Sequence, residues 1–349
     1  MFGRNKSLVG LDIGSNAVKA VELRVSGKSH KVVAFARQEM APDSIVDGAI
    51  IDGAGVADAI RRAFERAGTN TREVAASLSG NAVIVKKISL PQMTDAELAE
   101  SIRWEAEQYI PFDVQDVNLD YQVLEGEGAK NTMDVLLVAA KKDKIADYTG
   151  VIAQAGRVPV VVDVDAFAIQ NAFEANYDIE PGVVTVLMNV GASAININIV
   201  SGSSSIFTRD MSVGGNAYTE ALQREFNLTF ERAEQVKQGT STDTVRFDDV
   251  RPVLKSVTDS VLLEIQKTFD FYKATAPSDR LDRVMVCGGG SRVEGFADAL
   301  ADRFGIPVET LDPFRRIAFD AARAGVPADE AAATAVVAVG LALRRGGDR

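Results

Sequence analysis

Histidine and cysteine are nearly missing from this chain: His30 and Cys287 are the only ones. A single thiol excludes an intrachain disulfide framework and suits a reducing compartment. A single imidazole excludes a multi-histidine metal site, and His30, just past the Ser26-Gly27 turn, reads as a plain turn residue. No apolar run approaches the roughly 20 residues that span a bilayer. The opening Met1 to Ser7 is too short and polar before Leu8 to act as a signal peptide. The expectation is a cytoplasmic protein that meets a membrane only through a partner. Basic charge is outweighed, 38 Lys and Arg against 49 Asp and Glu, for a formal net charge of −11. A polyanion partner wants a basic face, so the net charge argues against nonspecific nucleic-acid binding and leaves room only for a local basic patch.

What is present is a turn that occurs twice. Leu8-Val-Gly-Leu-Asp12-Ile-Gly14-Ser15-Asn16 is a short apolar run broken by turn formers, and it returns as the alternating run Val18, Ala20, Val21, Leu23. That pattern is a β-hairpin tipped by Gly14. Val186-Leu-Met-Asn189-Val-Gly191-Ala192-Ser193 repeats it, with Asn189 at the place of Asp12, Gly191 at that of Gly14 and Ile195 at that of Val18. Both copies run on to a Ser-Gly turn and a third strand. At 349 residues the chain should form about two domains of ~150 residues each. Two Gly-tipped hairpins in two half-chains imply related domains gripping one ligand between them.

Between the hairpins, Val56, Ala59, Ile60, Ala63 and Phe64 recur at helical spacing and Gly68 closes the helix. Val74–Leu78 reads as a buried strand. Val83–Leu90 reads as a strand ended by Pro91. Thr94 and Glu97 then form a capping box, and Met93 with Leu98 the hydrophobic staple, for a helix that stops before Pro111. Strands at Val117–Val123 and Met133–Ala139 flank the polar turn Gly126-Glu127-Gly128. A helix over Asp143–Ala155 and a strand over Val158–Val162 complete a β-α-β-β-α-β unit of about 80 residues inserted in the first domain. Farther on, Asp163–Asn176 reads as a helix, and one begins near Ala217. Val250 to Tyr272 is a long amphipathic helix, and Arg283–Cys287 is a strand leading into Gly288-Gly289-Gly290. Helices over Val293–Phe304 and Asp329–Leu343 precede an Arg-Arg-Gly-Gly-Asp-Arg tail that reads as disordered.

A phosphate chain needs inward backbone N–H groups with no side chain in the way, which Gly-tipped turns supply. Ser15, Asn16 and Ser193 add donors of the right length. Asp12 is the candidate for Mg²⁺, through water, since Mg²⁺ keeps much of its hydration. Lys19 has two equal readings, a phosphate partner or a solvated strand lysine. Gly288–Gly290, between strand and helix, lets a purine or ribose approach the backbone. A lone Asp-x-Gly-Ser turn carries little weight; the duplicated hairpin, the Gly214-Gly215 turn and the triple glycine in that order point to a nucleotide cleft.

The order of these motifs resembles the actin/Hsp70/sugar-kinase ATPase superfamily, whose phosphate and adenosine loops look like residues 11–19, 186–193 and 284–292. The insert resembles that of the cell-division protein FtsA. Within the superfamily the chain is most similar to the PilM family of FtsA-like cytoplasmic proteins of type IV pilus assembly. The likeness rests on Val9-Gly-Leu-Asp-Ile-Gly-Ser15, Ser101-Ile-Arg-Trp104-Glu-Ala-Glu-Gln-Tyr109-Ile110-Pro-Phe112, Glu264-Ile-Gln-Lys267-Thr-Phe-Asp-Phe-Tyr272 and Val286-Cys-Gly-Gly-Gly-Ser-Arg292. It implies an α/β, actin-like two-lobed ATPase fold with duplicated β-β-β-α-β-α cores and an α+β insert of the FtsA 1C type. The implied boundaries are residues 1–80 for the first part of lobe 1, 81–161 for the insert and 162–182 for the return to lobe 1. Lobe 2 then takes 183–328, and 329–349 is a helix returning to lobe 1 with its tail.

The resemblance also implies ATP or ADP with Mg²⁺. Gly14, Ser15 and Asn16 would take the β- and γ-phosphates from one side, with Gly191, Ala192, Ser193, Gly214 and Gly215 on the other. Glu264 and Lys267 would face the ribose and base, and Gly289 and Gly290 the adenine, beside Gly288 and Arg292. It implies as partner the N-terminal cytoplasmic tail of the membrane protein PilN, in a groove between the first domain and the insert, with other platform proteins and motor ATPases as further partners. Trp104, Tyr109, Ile110 and Phe112 read either as aromatic and apolar anchors of that groove or as the insert's own core. Asn189 stands where the superfamily has an acid and cannot act as a general base. Asp12 and Asp165 remain, the latter with an equal reading as a helix N-terminal residue. The expectation is a nucleotide-binding scaffold with weak or no turnover. The alternatives are a filament-forming division protein and a small-molecule kinase. The first wants an amphipathic C-terminal membrane helix, and Ala331–Leu343 is too short and uniformly apolar for one. The second wants a base over an acceptor hydroxyl, and no candidate stands out.

Overall fold

The computed structural model describes residues 7–27, 29–124, 131–241, 245–276 and 278–347. The Gly126–Gly128 turn, the start of the chain before Ser7 and the last two residues of the tail lie outside them.

The first lobe begins with the antiparallel strands β1 (Val9–Ile13), β2 (Ala17–Ser26) and β3 (Ser29–Glu39). His30 is a residue of β3, not of a turn, and its carbonyl accepts from Ala318 N–H at 3.0 Å. A two-rung hairpin follows, β4 (Ile45–Val46) and β5 (Ala49–Ile50), then α1 (Gly53–Ala67) and β6 (Glu73–Leu78). Helix α1 begins where the Asp52 carboxylate accepts from Gly55 N–H at 2.9 Å and ends where Gly68 turns left-handed at φ 64°. Its apolar stripe packs on β1, β2 and β6.

The insert is β7 (Val83–Pro91), α2 (Asp95–Glu107), β8 (Val117–Leu124) and β9 (Thr132–Lys141). Its sheet has the order β7-β9-β8, with α2 covering one face through Leu98, Ile102 and Ala106. The capping box forms as expected, Thr94 Oγ1 accepting from Glu97 N–H and Glu97 reaching back to Thr94 N–H at 2.8 Å. The insert is shorter than the sequence boundary of residue 161. Helix α3 (Lys142–Gln154) packs beside α1, and β10 (Val158–Val164) joins the first sheet in parallel with β6, giving the order β10-β6-β1-β2-β3. Strand patterning alone could not separate these two sheets, because β9 and β10 are both apolar and lie on either side of one helix.

Helix α4 (Asp165–Asn176) leads to the second lobe: β11 (Val184–Val190), β12 (Ile195–Ser201), β13 (Ser204–Met211), α5 (Asn216–Phe226), α6 (Phe230–Lys237) and α7 (Phe247–Thr275). Then come β14 (Arg283–Cys287), α8 (Phe296–Phe304) and β15 (Val308–Thr310). The sheet order β13-β12-β11-β14-β15 repeats that of lobe 1, with the hairpin outermost and the parallel strands following. Helix α8 starts three residues later than its pattern, after a 3₁₀ turn at Gly289–Arg292 and a left-handed Gly295 at φ 76°.

The chain ends in three short helices, α9 (Ala321–Ala324), α10 (Ala328–Thr334) and α11 (Val336–Ala342). The sequence reads the last two as one. They part because the Ala333 carbonyl is turned to accept from Gly288 N–H at 2.7 Å. Every residue of α11 is buried, against β1 and β2 on one side and α4 on the other, so it presents no membrane-binding face. Among the described residues no helix is long and apolar enough to cross a membrane.

Candidate nucleotide site

The two hairpins are built alike and meet. In each, the glycine N–H closes the turn on the carbonyl three residues on, Gly14 to Ala17 at 3.2 Å and Gly191 to Ala194 at 2.9 Å. The closing strand pairs, Ile13 with Val18 and Val190 with Ile195, are equivalent. The tips touch across the cleft: the hydroxyls of Ser15 and Ser193 lie 2.5 Å apart. The amides of Ser15, Asn16, Ala192 and Ser193 meet no backbone carbonyl among the described residues. Four N–H groups at two converging turns are a ready cradle for an anion.

Gly288, Gly289 and Gly290 line the same cleft. Gly288 is left-handed at φ 86°, and a Cβ there would sit 2.3 Å from the Val190 carbonyl oxygen, so the loop and the second hairpin fit only without a side chain. Arg292 stands at the rim, paired with Asp329 at 2.9 Å and Glu330 at 3.9 Å. Gly214 and Gly215 act differently from expectation. Gly215 N–H donates to Gly191 O and Asn216 N–H to Ala192 O, each at 2.8 Å. Those amides are already spent, and Gly214, whose Cβ would lie 2.6 Å from Gly191 O, is not in the lining. The pair buttresses the second turn rather than presenting donors to the cleft.

Lys19 is not a solvated strand lysine: it lines the cleft and pairs with Asp12 at 3.1 Å. Asp165 satisfies both readings at once, as the first residue of α4 and as part of the cleft wall. It accepts from Ser77 Oγ at 2.5 Å. Burial, and then the negative charge of Asp12, push its carboxyl up to about 7 against the pull of its serine donors. Asn189 donates from Nδ2 to Asn196 Oδ1 at 2.9 Å, and Asn196 donates in turn to Asp210 at 2.9 Å. Burial also pushes the Asp210 carboxyl up. The single thiol, Cys287, is buried and pushed up, well away from thiolate chemistry.

Glu264 and Lys267 do not line the cleft. They form an exposed pair on α7, 2.6 Å apart. The same Glu-x-x-Lys spacing recurs on α6, where Glu234 and Lys237 do line it, joined to each other, with Lys237 also donating to Thr219 Oγ1 at 2.8 Å and Gly215 O at 3.2 Å. Two helices carry one motif, and only the fold tells which faces inward. Arg37, also missed, donates to Asn16 Oδ1 at 3.1 Å and so orients the first turn. Asp210 escaped notice because a single acid on a strand has no pattern. Of the anchor cluster, Ile110 is core, and Tyr109 and Phe112 pack on that core under Lys86 and Lys141 at 5.1 and 4.4 Å. Trp104 alone is freely exposed, at 73%.

The Asp165 environment has a pH signature. Its folded value, about 7, lies above the ordinary carboxylate value of the unfolded chain. The folded state binds the extra proton between those two values, so its stability falls as pH rises through that window and stays reduced above it. Asp165→Asn is expected to stabilise the ligand-free protein by roughly 1 to 3 kcal/mol at about pH 8 and hardly at all near pH 4. Urea titrations at both pH values check this; an equal effect at each would refute it.

Residues 10–346 match the family described as type IV pilus assembly protein PilM. A solved PilM-PilN type IV pilus biogenesis complex contains a chain 32% identical, with a TM-score of 0.84, covering 99% of this chain and 100% of that one. Ethanolamine utilization protein EutJ from Carboxydothermus hydrogenoformans is 17% identical at a TM-score of 0.57, covering 97% and 90% of the two chains. MreB 5 of Spiroplasma citri, solved bound to AMPPNP, is 15% identical at 0.50, covering 97% and 95%. The last two bear on the fold alone, which is the actin-like one.

Proposed function

This chain belongs to the type IV pilus assembly protein PilM family, and from that premise we propose that it is an ATP-binding scaffold of the pilus inner-membrane platform, on the cytoplasmic side, that holds the N-terminal cytoplasmic tail of PilN. The observation that carries the nucleotide half is the meeting of the twin turns, Ser15 against Ser193, with four amides left for an anion. Ser15, Asn16, Ala192 and Ser193 would hold the phosphates. Asp12 would hold Mg²⁺ through water, and the ion would supply positive charge to offset that of the phosphates. Glu234 and Lys237 replace Glu264 and Lys267 as the residues for ribose and base, beside Gly289 and Gly290.

For the partner half, the insert sheet has a second face, turned away from α2. Val83 and Ala140 on it pack against the first lobe's core, while Val85 and Val138, paired in register beside them, stay half-buried. That angle between lobe and insert suits an extended peptide better than the Tyr109–Phe112 cluster does. Titration with a fluorescent ATP analogue and calorimetry with a PilN-tail peptide test the two halves separately. Micromolar or tighter binding of both is expected. Folded protein that binds neither would end the reading.

A further inference from the structure

We propose that Asp210 ties the second phosphate turn to the root of the insert, so that what fills the cleft sets how firmly the insert is held. The proposal rests on the nucleotide reading of the cleft. Asp210 is on β13, the edge strand of the second sheet. One carboxylate oxygen accepts from Asn196 Nδ2 at 2.9 Å, and Asn196 Oδ1 accepts from Asn189 Nδ2 at 2.9 Å. The other oxygen accepts from the backbone N–H of Gly80. Gly80 opens the joint between β6 of lobe 1 and β7 of the insert, is left-handed at φ 80° and has open space where a Cβ would be. Two residues along β13, Thr208 Oγ1 donates to the Val85 carbonyl of β7 at 3.3 Å.

The insert therefore has a tether besides its two chain crossings to lobe 1, and that tether comes from lobe 2. Its donors are an amide and a backbone N–H, weak compensation for a half-buried carboxylate, which costs free energy unless something is gained by holding it there. Asn189 and Asn196 donate in series toward Asp210, whose carboxylate accepts at the far end from Gly80, so hydrogen bonds run unbroken from the turn to the joint. A ligand that competes for the Asn189 amide changes what Asn196 offers Asp210, and with it the hold on Gly80. Asp210 stands in the cleft wall, and the role assigned to it is that of a positioning residue acting through Asn196 and Asn189.

Hydrogen exchange of the full-length chain over residues 79–90, with and without Mg-ATP, tests this alongside titration with a fluorescent ATP analogue. In the natural sequence, Mg-ATP is expected to change exchange in that segment by roughly tenfold, the size of a typical coupling. In Asp210→Asn, which keeps the shape but cannot accept from both donors, the segment should exchange at one rate with or without saturating Mg-ATP. Thr208→Val, which cuts only the second tether, should keep the response. Nucleotide binding without any change at 79–90, or a full response in Asp210→Asn, overturns the proposal alone. Absence of nucleotide binding overturns it together with the reading of the cleft.

Discussion

Gly340→Val is expected to abolish folding, and Gly340→Ala to lower the melting temperature steeply. A Cβ at position 340 would lie 1.7 Å from the Ala168 carbonyl oxygen and 3.0 Å from its Cα, both backbone atoms of α4. On the opposite side of α11, a Cβ on Gly10 would lie 2.0 Å from the Ala338 carbonyl oxygen. Strand β1, helix α11 and helix α4 thus touch backbone to backbone, a closeness the small residues Ala168, Ala172, Ala338 and Ala342 maintain around the two glycines. Nothing in that stack is a flexible side-chain end that could move aside. Overpacking costs typically 1 to 3 kcal/mol and more where backbone must shift, against a total stability of about 5 to 15 kcal/mol. The valine side chain adds further atoms to the same gap.

Gly150 is the control. It lies inside α3 with open space at its Cβ position, so Gly150→Ala should be neutral or stabilising by up to ~1 kcal/mol, because glycine weakens a helix interior. Thermal melts of the three variants decide the matter. A Gly340→Val protein that melts like the natural sequence would refute the packing argument. The stack matters for function because β1 runs straight from it into Asp12 and Gly14.

Much of this was legible beforehand, for identifiable reasons. The twin hairpins could be aligned residue by residue because a Gly-tipped turn leaves a short, rigid signature, and Asp12 and Asn189 do take equivalent positions. The end of helix α1 is legible because Gly68 is a chemical signal, whereas its start rests on the Asp52 cap, which the apolar spacing does not reveal. What stayed hidden depends on contacts between distant segments. The pairing of β10 with β6 is set by the fold, not by the composition of β10, so the sequence pattern carries the insert on to residue 161. The inward-facing Glu-x-x-Lys could not be told from the outward one by spacing. Gly214-Gly215 has the look of a ligand-binding turn in the sequence, and nothing local shows that the amides of Gly215 and Asn216 are spent on a turn more than twenty residues earlier in the chain.

Asn189→Asp is expected to raise phosphate release from Mg-ATP by about tenfold or more while weakening the link to Asp210. A positioned general base contributes about 10² to 10⁴ in rate, and each factor of ten is about 1.4 kcal/mol of barrier. A gain that begins below that range is expected, because the donor already facing the position 189 oxygen is the weak Cys287 thiol, 3.8 Å from Asn189 Oδ1. Asn196 presents its oxygen to Asn189 and its amide nitrogen to Asp210. Facing a carboxylate at 189, Asn196 must turn its amide nitrogen that way, which then aims its oxygen at the Asp210 carboxylate. One substitution therefore cannot serve both the acid and the tether. Turnover should rise, and the nucleotide response at residues 79–90 should shrink. A phosphate-release assay, with Asp12→Ala in the same background as the control for metal-dependent chemistry, measures the first effect. If the natural sequence already releases phosphate as fast as the variant, Asn189 is not what restrains hydrolysis. If the variant gains turnover but keeps its full response at 79–90, the amide at 189 is not part of the tether. The opposition between these two demands gives a physical reason for a nucleotide-holding scaffold to carry an amide where a hydrolase carries an acid.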